Sequence, residues 1–222
     1  MTGKRKDQSK GARRASREER LVEEITGTVR GMLEDRASVG DLKIVNSALK
    51  EMRRAFAVFS EYHTQRKVST FGSARTREGD PTFELAERFA HLMAEAGFMV
   101  ITGAGPGIMG ACQRGAGRAR SFGVDIELPF EESANPVIQG DPKHMPFKYF
   151  FTRKLFFVKE AHAVVLFPGG FGTHDEGFEI LTLLQTGKSK LLPAVFLDVP
   201  GGTFWKTWQR YVEDHILRRG MI

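Results

Sequence analysis

The chain has 222 residues, 41% of them hydrophobic and 27% charged, which suits one sizeable globular domain plus an appendage. Its single cysteine, Cys112, excludes an internal disulfide, and no apolar run approaches the roughly 18 residues of a membrane span. With no apolar leader core near the N-terminus either, the chain reads as cytoplasmic and without a membrane partner.

The net charge of +6 is uneven: residues 1–20 hold eight Lys/Arg against Asp7, Glu18 and Glu19. Residues 1–20 therefore read as a disordered, solvated basic tail, and without interleaved aromatics they give no support to nucleic-acid binding. Residues 21–66 carry two amphipathic helical patterns. Leu21, Val22, Ile25, Val29, Met32 and Leu33 mark the first, and Leu42, Val45, Leu49, Met52, Phe56 and Phe59 the second. Gly40 and Asp41 separate them, with Ser38 or Asp41 as the cap of the second. This helical arm offers an apolar face for the main domain or for a second copy in a homodimer.

From Lys67 strand and helix alternate. The pattern predicts a strand over 68–71, then a helix capped by Asp80, opened by Pro81 and ended by Gly97. A strand over 98–102 leads into the loop Gly103-Ala104-Gly105-Pro106-Gly107 and a helix through Cys112. A third strand follows at 124–127, a long loop at 128–146, and a short helix at 152–161. The strand 163–167 then runs into a glycine turn and a helix over 173–186. A strand over 192–197 and a helix over 203–218 complete the series. Such alternation implies an α/β fold over 67–222: a doubly wound, Rossmann-like parallel sheet with helices on both faces, preceded by the N-terminal helical arm. Ligands of such sheets bind at the carboxyl ends of the strands, where all three glycine turns fall.

The richest stretch is Pro168-Gly169-Gly170-Phe171-Gly172-Thr173-His174-Asp175-Glu176. A strand, a glycine turn and a helix start aim main-chain N–H groups at an anion. Thr173 and Glu176 have capping-box spacing, which places Glu176 in the first helical turn. Three glycines in four residues weaken a fold unless backbone and ligand approach closely. Arg153 and Lys154 open a helix, where the dipole disfavours cations, so a nearby anion, either a phosphate or Glu176, is expected. The 103–107 loop is not the dinucleotide fingerprint, since its third glycine would fall at Ile108, although Asp125 lies about 20 residues on, where a ribose-binding acid is expected. It is no Walker loop either. His162 and Cys112 read as structural, and His174 as a surface residue. The aromatics of 147–157 read as core, with one ring available to a base pocket. No Cys/His cluster has metal-ligand spacing.

Together these residues resemble the LOG ("lonely guy") family, often labelled lysine decarboxylase-like. Its P-G-G-x-G-T-x-x-E hallmark is matched from Pro168 to Glu176, its Arg-Lys pair by Arg153 and Lys154, and its Gly-Ser turn by Gly72 and Ser73. The glycine loop with its following Met-Gly is matched over 103–110, and the resemblance covers roughly 67–219. It implies a hydrolase that splits the N-glycosidic bond of a purine nucleoside 5′-monophosphate, AMP or a cytokinin riboside 5′-monophosphate, into free base and ribose 5-phosphate. Neither cofactor nor metal is implied, and no motif marks a pyridoxal-phosphate lysine. Glu176 and Arg153 would be catalytic, with Arg153 holding Glu176 ionised. Gly169, Gly170, Gly172, Thr173 and Lys154 would surround the phosphate, and Gly72, Ser73 and Gly105 would flank the nucleotide. Asp175 is a candidate for the proton donor to the leaving base. Position 174 is His where the family has Leu or Met, a change expected to reach the base pocket, and the chain stops at Ile222 where many relatives continue. The alternative function is non-catalytic binding of a nucleotide or a molybdopterin-type cofactor.

Overall fold

The computed structural model describes residues 15–128 and 134–222. The residue composition of each segment explains the element it forms. Ser16 caps α1 (Arg17–Glu34) through a reciprocal box: the Ser16 N–H donates to Glu19 Oε2 at 2.7 Å and the Glu19 N–H to Ser16 Oγ at 3.1 Å. Residues 17–20, which the charge pattern assigned to the tail, are therefore helical, and residues 1–14 lie outside the described residues. The cap of α2 (Val39–Ser60) is Ser38, whose Oγ accepts from the Asp41 N–H at 3.1 Å, while Asp41 Oδ2 accepts from the Ser38 N–H at 2.9 Å. Gly40 and Asp41 thus lie inside the second helix instead of separating the two. The chain divides into two compact units, one through Asn46 and one from Ser47 to Ile222. In the first, no residue of α1 is buried.

The second unit holds a six-stranded, wholly parallel sheet: β1 (Lys67–Phe71), β2 (Met99–Thr102), β3 (Ser121–Ile126), β4 (His144–Phe147), β5 (Ala163–Leu166) and β6 (Ala194–Phe196). The strand order is β4-β3-β2-β1-β5-β6, with Val68 paired to both Val100 and Ala163 and Leu166 paired to Phe196. The chain starts in the middle, winds outward to β4, then returns beside β1 with β5. The switch point lies between β1 and β5, and a crevice opens beyond their carboxyl ends.

Alternation along each strand fills two cores. Ile101, Val164 and Leu166 face one side, packed with Phe59 of α2 and Phe156 and Phe157 of α5 (Phe150–Lys159). Val68, Val100 and Val165 face the other, under Ala86 and Ala90 of α3 (Pro81–Glu95) and Ile108 and Ala111 of α4 (Ile108–Ala116). The remaining helices are α6 (Phe171–Gln185) and α7 (Phe204–His215), whose Trp205 packs into the first core. None of these helices is long and apolar enough to cross a membrane.

Two differences from the sequence pattern bear on the site. The stretch taken as loop through 146 contains β4, an edge strand in which Met145 and Phe147 are buried and His144 and Pro146 are partly exposed. Proline is tolerated there because an edge strand has one free side. The helices at the site also start earlier than their motifs suggest. With α5 beginning at Phe150, Arg153 and Lys154 are its fourth and fifth residues. With α6 beginning at Phe171, Thr173 is its third residue and Glu176 lies in its second turn.

Candidate functional site

Three glycine turns meet at Ser73. Its N–H donates to the Pro168 carbonyl at 3.2 Å, and its carbonyl accepts from the Ile108 N–H at 3.0 Å. The β1 turn is thereby tied to the turns after β5 and before α4. Such backbone contact needs glycine: a Cβ on Gly107, which has φ +65°, would collide with the Ser73 carbonyl, and one on Gly169 with Thr173. Thr173 is therefore buried against Gly169 and does not cap α6. The capping box expected from Thr173 and Glu176 is absent, since the N-cap is Gly170 and no side chain caps it. The first-turn amides of α6 are left to whatever enters the crevice.

That crevice is a cavity of about 620 Å³. Gly72, Ser73, Gly105, Gly170, Gly172, Thr173, Arg153 and Glu176 all line it, whereas Gly169 and Lys154 are not among its lining residues. A Cβ added at Gly170 or Gly172 would meet nothing within 4 Å, so neither glycine is demanded by protein packing. Both keep open the space in front of the helix terminus. Phe150 and Phe171 stand exposed among the lining residues.

Glu176 is 7% exposed, yet it lines the cavity. Burial pushes its carboxyl up to about 7, against the pull of Lys154 and Arg153 and with help from Glu179 and Asp175. Arg153 favours the ionised form, in the direction expected, but desolvation outweighs it and Lys154 together, so it does not hold Glu176 ionised on its own. Lys154 is the nearer of the two, its Nζ 3.8 Å from Glu176 Oε1, but it lies closer to Glu179 at 2.7 Å and Asp175 at 2.8 Å. Burial works against the Lys154 ammonium, but the bonds to Asp175 and Glu179 and the charge of Glu176 outweigh it and raise its pKa. Arg153 reaches the cavity from α5. Its Nε donates to the Val124 carbonyl at 3.0 Å and its guanidinium lies 5.2 Å from the centre of the Phe157 ring. Gly103 makes room for it, since a Cβ there would stand 2.6 Å from Arg153 Nη2.

Sequence reasoning missed Asn135. Its Nδ2 donates to the carbonyls of Ala104 at 2.7 Å and Gly105 at 3.1 Å and to Gln113 Oε1 at 2.6 Å. These bonds clamp the 103–107 loop, where Ala104 sits at φ +65°, a conformation costly for a residue with a Cβ. Thirty residues separate Asn135 from this loop, so no local pattern could reveal the contact. Asp125, noticed only for its spacing, does line the cavity. Among the described residues no group of three or more His, Cys, Asp or Glu could hold a metal ion.

A family model described as "Possible lysine decarboxylase" matches residues 109–222. The chain belongs to this family, the LOG or lysine decarboxylase-like proteins. No curated protein matches the chain. Among solved structures, it is similar to the structural-genomics protein TM1055, at 24% identity over 58% of this chain and 72% of that one, with a TM-score of 0.42. It is also similar to the Moco carrier protein from Chlamydomonas reinhardtii, at 19% identity over 71% and 86% of the two chains and a TM-score of 0.45. The molybdenum cofactor binding protein from Rippkaea orientalis is similar at 16% identity over 67% and 83%, with a TM-score of 0.47.

Within this LOG-family chain, His174, expected to bear on a base pocket because it replaces Leu or Met, is not among the residues that line the cavity. Its Nδ1–H donates to the Gly170 carbonyl at 2.9 Å, and its ring packs on Phe204 and Trp205 of α7, outside the cavity lining. The decarboxylase wording of the family description fits the residues poorly. Among the described residues no lysine lines the cavity, and Lys154 is held charged by three carboxylates, the opposite of what Schiff-base chemistry requires.

Proposed function

We propose that this LOG-family protein hydrolyses the N-glycosidic bond of a purine nucleoside 5′-monophosphate, AMP or a cytokinin riboside 5′-monophosphate, releasing the base and ribose 5-phosphate. One observation carries the reading: the buried Glu176 carboxyl and the uncapped N-terminus of α6 face one cavity. An anion at that terminus is held by the amides of residues 171–173 and by the helix dipole. The phosphate sits there, in the space that Gly170 and Gly172 leave open, with Arg153 as a further cation. The ribose then lies beside Glu176, in the second turn of the same helix.

Cleavage moves positive charge onto the sugar as the bond to the base breaks. A carboxylate fixed in a partly desolvated cavity stabilises that charge and orients the attacking water. Glu176 must be ionised for this role, and its pKa of about 7 makes the pH dependence specific. In the free enzyme the acid limb of kcat/KM rises with pH through about 7. A kcat/KM that falls across that range would mean that Glu176 acts in its protonated form.

A panel of nucleoside monophosphates, each assayed chromatographically for released base, tests the function. Release of free purine and ribose 5-phosphate from at least one member is expected. Saturable binding across the panel with no product would assign the cavity to nucleotide carriage and overturn the enzymatic reading.

A further inference from the structure

The departing base must take up a proton; on α6, Asp175 is engaged with Lys154 at 2.8 Å, and Glu176 is committed to its role as the ionised carboxylate beside the ribose. Topology indicates where the donor must stand. A phosphate at the N-terminus of α6 lies just beyond β5, and the order β3-β2-β1-β5 sets β3 three strand spacings away, roughly 14 Å. A nucleotide gripped at the β5 end extends its base toward β2 and β3. On that wall, beside Gly103 and Gly105, stands Asp125, the next-to-last residue of β3.

Asp125 is built into a relay. Its Oδ1 accepts the Ile126 N–H at 2.8 Å, and its Oδ2 lies 3.0 Å from Nε2 of His144, the first residue of β4. Arg54 Nη2 donates to the His144 carbonyl at 3.1 Å, fixing the strand end that carries the imidazole. The Asp125 and His144 side chains keep 24% and 19% of their surface exposed, enough for Asp125 to meet a ligand and for His144 to meet solvent.

We propose that Asp125 is the catalytic acid that protonates the leaving base, with His144 as its positioning partner; this rests on the N-glycosidase reading above. As the bond between C1′ and the base nitrogen breaks, its electron pair moves onto the base, and a proton passes from the Asp125 carboxyl to a base nitrogen. Water adds its oxygen to C1′ and gives up a proton to the Glu176 carboxylate, which returns it to solvent. The Asp125 carboxylate, still paired with His144, regains its proton from solvent through the imidazole. The products are neutral base and ribose 5-phosphate.

The test exploits leaving groups that need no proton. AMP is compared with nicotinamide mononucleotide, 7-methylguanosine 5′-monophosphate and 4-nitrophenyl riboside 5-phosphate. Asp125→Asn is expected to lose about 100-fold or more in kcat/KM on AMP and less than about 5-fold on whichever of the others the wild type cleaves. His144→Asn is expected to show the same split at about tenfold. Glu176→Gln loses both kinds of substrate, which separates the two roles. Equal losses for Asp125→Asn on both kinds of substrate, or no loss on AMP, overturn the proposal. On AMP alone, formate added to Asp125→Ala is expected to restore turnover, and failure to do so counts against a proton donor. A wild type that cleaves none of these compounds overturns the glycosidase reading and this proposal with it.

Discussion

A carboxyl whose pKa rises on folding opposes stability once it ionises. Glu176 titrates near 4.5 in the unfolded chain and at about 7 in the folded one. Between those values the folded state binds more protons, so stability falls as pH rises through that window and the loss is complete above 7. Glu176→Gln removes this penalty. The variant is expected to be more stable than the wild type at pH 8, by up to about 3 kcal/mol, and little changed at pH 4. Calorimetry at the two pH values checks this, and a gain of equal size at both would contradict a burial-raised carboxyl. Lys154→Met acts in the other direction. It takes away the cation 3.8 Å from Glu176, so the rising limb of kcat/KM is expected to move about one pH unit higher. An unmoved limb would show that Lys154 serves only Asp175 and Glu179. That Glu176 and Arg153 line one cavity was readable from the chain because a long contiguous motif and an Arg-Lys pair mark them, although the pair lies one turn into α5 and not at its start, so the dipole argument did not locate it. The relative strength of burial and cation at Glu176 was not readable, since it depends on how deeply α6 is packed.

At the scale of elements, the 103–107 loop depends on one side chain. Asn135→Ala strips the carbonyls of Ala104 and Gly105 and the Gln113 amide of their buried partner. A loss of about 2–3 kcal/mol in unfolding free energy is expected, together with a rise in KM for the nucleotide, because the loop forms part of the cavity wall. Denaturant unfolding showing a change within about 0.5 kcal/mol would rule out the clamp. Alternating strand and helix were plain from periodicity, and Asp80 before Pro81 marked the start of α3 within a residue. Two elements were hidden for physical reasons. β4 has four residues, one of them proline, and only its edge position tolerates that composition. The start of α6 misled because Thr173 has the spacing of a cap, while the close approach of Gly169 buries it within the first turn.

At the scale of the molecule, the return of β5 beside β1 brings together the turns after β1 and β5, and Ser73 ties both to the start of α4. The fold class was legible from the alternation, whereas the strand order was not, because no local signal distinguishes an inner strand from an outer one. A site assembled at a switch point from three turns should stiffen when filled. Ribose 5-phosphate at 100 times its Kd is expected to add about 2.7 kcal/mol to the stability of the folded protein, and ribose without the phosphate far less at the same concentration. Thermal shifts of equal size for the two sugars would move the anion away from α6. The most direct measurement compares turnover and binding in one variant. Wild type and Glu176→Gln are incubated with AMP, released adenine is followed by chromatography, and AMP affinity is measured by calorimetry. The account predicts adenine and ribose 5-phosphate from the wild type, a loss of at least about 10³-fold in the variant, and AMP affinity changed by no more than a few-fold. Normal turnover by Glu176→Gln would contradict it.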